Sequence, residues 1–259
     1  MTLDMSIADY LLLFLAGMLG GVINTLAGGG SLVTFPSLML VGVPPIIANA
    51  TNTFASLGGY ISGAYGLRKE IRKSKSVLVA ITITATIGGL VGAWLLHQTS
   101  PTRFEKLIPW LLFLATVALI LGPVLVTSKK ESESEHDRSI VSLLVFGVLL
   151  LLVCLYGGFF NAGLGILILG YLTIAGWANV NEMNAVKLIV SSIVSVAAVC
   201  VFAFSDMLDW QLGVVVMIGT LIGGYLSAKV SLIIPAKWIR TGIIVFSLTL
   251  TIYYFAKVY

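Results

Sequence analysis

The chain has 259 residues, of which 58% are hydrophobic and only 10% charged, and its mean hydropathy is +1.05. Water-soluble domains carry about 25% charged residues, so this composition excludes a soluble enzyme, a secreted disulfide scaffold, a disordered chain and a nucleic-acid module. The net charge of +4 comes from fifteen Lys and Arg gathered in a few short loops, a pattern that records orientation in a multi-pass membrane protein rather than a nucleic-acid partner. Cys154 and Cys200 lie far apart in apolar runs; they suggest neither a disulfide framework nor a metal set, and no metal or other cofactor is expected.

Residues 1–10 hold Asp4 and Asp9 and no Lys or Arg, unlike the basic start of a signal peptide, so the first apolar run is read as mature structure. A helix that crosses the ~30 Å hydrocarbon core needs about 20 apolar residues. Eight runs approach that length: 8–26, 45–67, 77–96, 104–127, 140–160, 183–204, 210–228 and 238–256. Two others, 31–41 and 163–175, are too short to cross. Each short run adjoins glycines: Gly28, Gly29 and Gly30 before the first, and Gly157, Gly158, Gly163 and Gly165 around the second. The polar stretch 128–139, with KKESESEHDR at its centre, reads as a solvated linker between two halves.

The halves resemble one another. Gly20-Gly21-Val22-Ile23-Asn24-Thr25 matches Gly157-Gly158-Phe159-Phe160-Asn161-Ala162, and Asn49-Ala50-Thr51-Asn52 with Ser56 matches Asn184-Ala185-Val186-Lys187 with Ser191. Further on, Ile87-Gly88-Gly89-Leu90-Val91-Gly92 matches Ile218-Gly219-Thr220-Leu221-Ile222-Gly223, and Pro101 with Phe104 matches Pro235 with Trp238. The blocks recur in one order, and the Asn pairs lift the match above the general likeness of Gly-rich apolar helices.

Charge sets the direction. The loop 68–75 carries Arg68, Lys69, Arg72, Lys73 and Lys75 and is expected in the cytoplasm. With five strokes per half, the second half is upside down: its matching loop, 205–209, has two Asp and no Lys or Arg and falls outside. Eleven of the fifteen cations then lie inside, three (Arg103, Lys106 and Lys257) lie outside, and Lys187 lies within a helix. A parallel arrangement of the halves divides the loop cations nine to five, so the inverted one is preferred. The expected fold is an all-α polytopic membrane protein of two inverted-topology repeats, each a broken, re-entrant helical hairpin plus three transmembrane helices. The first repeat covers 1–127 (hairpin 8–42, helices 45–67, 77–96 and 104–127). A cytoplasmic linker covers 128–139, and the second repeat covers 140–259 (hairpin 140–176, helices 183–204, 210–228 and 238–256). Both termini are expected outside. Inverted repeats with discontinuous helices are a transporter architecture.

The two glycine turns should meet partway across the membrane, where backbone groups cannot turn to lipid and the N-termini of the short helices favour an anion. The pocket expected there draws on Asn24, Thr25, Gly29, Gly30, Ser31, Asn161 and Gly163, with Asn49, Asn52, Asn184 and Lys187 from the following helices. A lysine one turn inside a membrane helix is costly and points to function; the plainer roles are snorkelling to the inner surface or pairing with Glu182. Asn181 and Glu182 are expected near the surface, while Thr51, Thr53 and Ser191 taken singly suit bonds to their own or a neighbouring helix. The eleven acids all lie in or beside loops, so the site is expected to hold a small anion and to lack a carboxylate relay.

These residues carry a family resemblance. The stretch 20–56, with its Gly28–Gly30 turn, Pro36-Ser37-Leu38, and Gly42 leading through Ala48 to Asn49-Ala50-Thr51-Asn52, resembles the TauE/SafE family of sulfite exporters, and Asn49 stands where many members carry a small residue. The resemblance extends over the whole chain and implies a bacterial inner-membrane permease exporting sulfite or organosulfonates such as sulfoacetate, with membrane lipid as its surroundings. A channel with the same pore lining is the alternative. An intramembrane enzyme would need a nucleophile with its base, or a metal set, and His97 at a helix end and His136 in the linker supply neither. The two-halves reading predicts that single cysteines at Glu70→Cys and Met207→Cys will react with an impermeant thiol reagent from opposite faces of the membrane.

Overall fold

The computed structural model describes residues 5–70, 75–129, 140–177, 179–233 and 236–259. Most of the linker and residues 71–74 of the basic loop therefore lie outside the described residues, as does Pro235 of the repeat.

Among the described residues the chain is entirely helical. In order come α1 (Ile7–Ala27), α2 (Ser31–Leu40), α3 (Pro45–Gly66), a 3₁₀ turn (Arg68–Glu70), α4 (Lys75–His97), α5 (Pro101–Lys129), α6 (Ile140–Phe159), α7 (Leu164–Ile174), α8 (Val180–Phe204), α9 (Trp210–Ile233) and α10 (Ala236–Val258). Each helix falls on one of the ten apolar runs. Six are long and apolar enough to cross a membrane: those at Ile7–Ala27, Leu78–His97, Pro101–Leu121, Val180–Phe204, Trp210–Ser227 and Thr241–Val258. This is fewer than the eight expected. In α3 the apolar run is interrupted by buried Asn49, Thr51, Asn52, Thr53 and Ser56, and the described apolar part of α6 is the shorter segment Leu144–Phe159.

Local chemistry sets the helix ends. Ser6 caps α1 in a reciprocal pair with Asp9. At its other end Gly28 takes φ +85°, a left-handed conformation that closes the helix and that a side chain would strain. Gly163, at φ +88°, plays the corresponding part before α7. The Asn179 side chain accepts the N–H groups of Asn181 and Glu182 at the start of α8, and α3 opens on Pro45, which has no N–H to leave unpaired.

The main packing joins one half to the other. The helix α1 lies along α9, and α4 lies along α6. Both seams are built on small residues: Gly17 and Gly21 against Gly219, Thr220 and Gly224, and Gly88, Gly89 and Gly92 against Cys154, Leu155 and Gly158. In an apolar solvent helices gain little by hiding apolar surface, so close backbone approach supplies the attraction. The helix α3 packs on both α8 and α9, and α5 on α10. Outward faces are apolar, as at Ile83, Leu90, Trp94, Phe113, Val245 and Ile252, which suits lipid. Met207 is buried and its neighbour Asp206 is exposed, so Asp206→Cys is the accessible label for that loop.

The seams predict a contrast between glycines. A Cβ on Gly89 would sit 2.8 Å from the Val194 carbonyl oxygen, whereas nothing lies within 4 Å of one on Gly170. Gly89→Ala is expected to lower stability by about 1–3 kcal/mol through overpacking, and Gly170→Ala to hold or raise it, since Ala is the better helix former by about 1 kcal/mol. Thermal unfolding in detergent compares the two.

Candidate functional site: two glycine turns and two polar stripes

The glycine turns touch. A Cβ on Gly28 would lie 2.7 Å from the Gly165 carbonyl carbon, and one on Gly165 would lie 2.7 Å from the Gly28 oxygen. Only bare backbone fits on both sides, at Gly28 in the turn before α2 and at Gly165 in the first turn of α7. Gly29, Gly30 and Gly163 are buried there.

Around this contact are two stripes of polar side chains. On α3 they are Asn49, Asn52, Ser56 and Tyr60; on α8 they are Asn184, Lys187, Ser191 and Ser195. The spacing is the same in both helices and places each set along one face. All but Asn184 are buried.

Asn161, just beyond the end of α6, is the hub. Its Oδ1 accepts from Ser31 Oγ at 3.0 Å and from Tyr60 OH at 2.9 Å, and its Nδ2 donates to Ser195 Oγ at 3.0 Å. Ser31 Oγ also lies 3.0 Å from Ser56 Oγ. Thr34 Oγ1 donates to Asn52 Oδ1, tying α2 to α3. Asn24 Oδ1 accepts the Gly30 N–H at 3.2 Å, which folds the turn back onto α1.

Two side chains complete helix ends that belong to the other half. Lys187 is fully buried, and its ammonium donates to the carbonyl oxygens of Asn24 (3.1 Å) and Thr25 (3.3 Å) at the end of α1, and to Asn184 Oδ1 (2.9 Å). A cation at the negative end of a helix is favoured, and these neutral oxygens replace the snorkelling or Glu182 pairing considered from sequence. Asn49 Nδ2 donates at 2.9 Å to the carbonyl of Phe159, the last residue of α6. Among the described residues three buried side-chain atoms stay without a partner: Asn49 Oδ1, Asn52 Nδ2 and Ser191 Oγ. Each such atom costs about 1–3 kcal/mol.

Most of the expected site residues thus come together. Thr25 is half-buried and its hydroxyl donates to Gly21 O within its own helix, so its part here is played by its carbonyl. Thr53 bonds its own backbone, at Asn49 O, as foreseen. Thr51 instead accepts the N–H of Asp209 from the turn before α9, and Ser191 does not bond its helix at all. Glu182 is buried rather than at the surface, while Asn181 is exposed. Sequence reasoning passed over Tyr60, Ser195 and Thr34. The signal for the first two was present: Tyr60 and Ser195 continue, one turn on, the stripes begun by Asn49 and Asn184.

The family profile described as "Sulfite exporter TauE/SafE" matches residues 13–254. The chain belongs to the TauE/SafE family. It is 29% identical over 252 residues to the "Probable membrane transporter protein" of Haemophilus influenzae, covering 96% of this chain and 95% of the relative. It is 27% identical over 237 residues to "Probable membrane transporter protein YfcA" of Escherichia coli, covering 91% and 85%. It is 23% identical over 243 residues to "Probable membrane transporter protein YdhB" of Bacillus subtilis, covering 90% and 93%. No solved structure matches. This TauE/SafE protein is a membrane transporter with an all-helical fold.

The hub predicts an order of damage. Asn161→Leu strips partners from Ser31, Tyr60 and Ser195 together and is expected to cost more than the about 0.5–1.5 kcal/mol of a single hydrogen bond, whereas Tyr60→Phe removes only one. Thermal unfolding of the two variants beside the parent checks the order.

Proposed function

We propose that this transporter exports small anions, first of all sulfite and organosulfonates such as sulfoacetate, across the bacterial cytoplasmic membrane by alternating access. The anion is held at the membrane midplane between the tips of two re-entrant hairpins. The observation that carries this reading is the charge balance at the turns. Lys187 brings a buried ammonium whose three hydrogen bonds all go to neutral oxygens, and Asn52 Nδ2 and Ser191 Oγ stand nearby as unpaired buried donors. A site with one cation, free donors and helix N-termini favours a negatively charged solute.

The inverted arrangement of repeats 1–127 and 140–259 draws support from the packing. The contact of α1 with α9 exchanges, on swapping the halves, for that of α6 with α4. Thr25 at the end of α1 lies beside Gly63 near the end of α3, whereas Phe159 at the end of α6 meets Asn49 near the start of α3. Equivalent helices that finish at opposite ends of one neighbour are what an inverted repeat would give. With the basic segment after α3 in the cytoplasm, both termini lie outside. The carrier reading is preferred to a channel because the backbone contact of Gly28 with Gly165 leaves no open pore between the tips.

The choice of sulfite and sulfonates rests on the family's description and on the sign of the site. Purified protein tested by ligand-induced thermal shift over sulfite, sulfate, sulfoacetate, taurine and carboxylates should rise most with the sulfur oxyanions. The rise should be lost in Lys187→Ala and in Asn52→Ala. Binding like that of the parent in both variants would remove this site. In proteoliposomes, saturation and counterflow of sulfoacetate are expected; resolvable single-channel currents would favour a pore.

A further inference from the structure

A cavity of about 430 Å³ opens between the ends of α1, α3 and α9 and the start of α8, lined by Thr25, Ser62, Gly63, Leu67, Asn184 and Ser227 among others. Its size suits a small hydrated solute. It lies at the end of α3 that runs into Arg68 and Lys69. Two of its walls, Thr25 and Asn184, are the residues whose oxygens hold the Lys187 ammonium, so the cavity ends against the back of that cluster.

The repeat pairs Asn184 with the buried Asn49 and gives the other five positions counterparts as well. Thr25 corresponds to Ala162, Ser62 to Ala197, Gly63 to Ala198 and Leu67 to Phe202; Ser227 in α9 corresponds to Leu96 in α4. The counterparts lie in the core. Ala162, Ala198, Phe202 and Leu96 are all fully buried. They share one apolar cluster with Phe35, Phe104 and Phe160, in which the Phe35 and Phe160 rings meet edge to face at 5.3 Å. Where one half has Ser, Thr and Gly around open space, the other has Ala, Leu and Phe packed solid.

We propose that the cavity is the cytoplasmic loading mouth for the anion and that its apolar counterpart is the closed exit on the opposite face. The protein at rest is thus open toward the cell interior. This inference rests on the inverted-repeat reading above. In passage, the mouth closes on Thr25 and Asn184 while the phenylalanine cluster parts, and the two faces exchange roles around the fixed Gly28–Gly165 contact.

The test uses full-length protein with Cys154→Ala and Cys200→Ala, reconstituted in oriented vesicles and treated with an impermeant, negatively charged methanethiosulfonate. Single cysteines are placed at Ser62→Cys and Thr25→Cys in the mouth, and at Ala197→Cys and Ala162→Cys in the exit. Lys69→Cys and Asp206→Cys serve as surface markers. The mouth cysteines are expected to react from the Lys69 face, on the order of tenfold faster than the exit cysteines. Sulfoacetate should slow Ser62→Cys and speed Ala197→Cys from the Asp206 face. Equal rates at mouth and exit, or unreactive mouth cysteines with the markers on opposite faces, would overturn the loading mouth and leave the repeat standing. Markers reacting from the same face would remove the repeat itself. Ser62→Cys and Ala197→Cys lie away from the hydrogen-bonded hub, so they decide the matter if Thr25→Cys or Ala162→Cys fails to fold.

Discussion

The helices α1 and α6 end against side chains from the opposite half of the chain, which meet carbonyls at those ends. The end of α1 is met by the Lys187 ammonium and the end of α6 by the Asn49 amide. Both side chains come from the first turns of a helix in the opposite half, at nearly equivalent places in the two polar stripes. Each of these helix ends is therefore completed across the interface between the halves, by the lysine at one and an Asn at the other.

The two caps differ in kind, and the difference gives the site its sign. The position that holds Lys187 in α8 holds Asn52 in α3. A lysine brings charge as well as donors; the Asn52 amide is neutral, its Oδ1 accepts from Thr34, and its Nδ2 is left without a partner. Replacing one by the other turns an otherwise near-symmetric cluster into one with a single positive pole. Nearby, Tyr60 and Ser195 reach the same Asn161 from the two stripes, so the hub is shared by the halves.

The helices were almost fully legible in the sequence, because the apolar runs and the glycine and proline punctuation between them mark their ends. The helix count holds from α1 to α10, and the touching turns follow from Gly28 and Gly165 being bare. What the sequence could not separate was function from backbone duty. A buried lysine reads from sequence as a charge for the substrate alone, and the Asn24 and Thr25 carbonyls add a second duty to its ammonium. A threonine reads as a pocket hydroxyl until Thr25 is seen bonding its own helix. Tyr60 and Ser195 were hidden for another reason: hydroxyls are unremarkable in membrane helices, and their meaning appears only when the two stripes are laid side by side.

The crossed capping has a consequence for biosynthesis. The first half is made before the second, so the Thr25 carbonyl lacks its lysine partner and Asn49 has no helix end to serve until the second half is made. The residue that covers α1 arrives only with α8, and the α1 seam is complete only when α9 follows. The contacts that complete the first half are thus supplied only by the part of the chain made last.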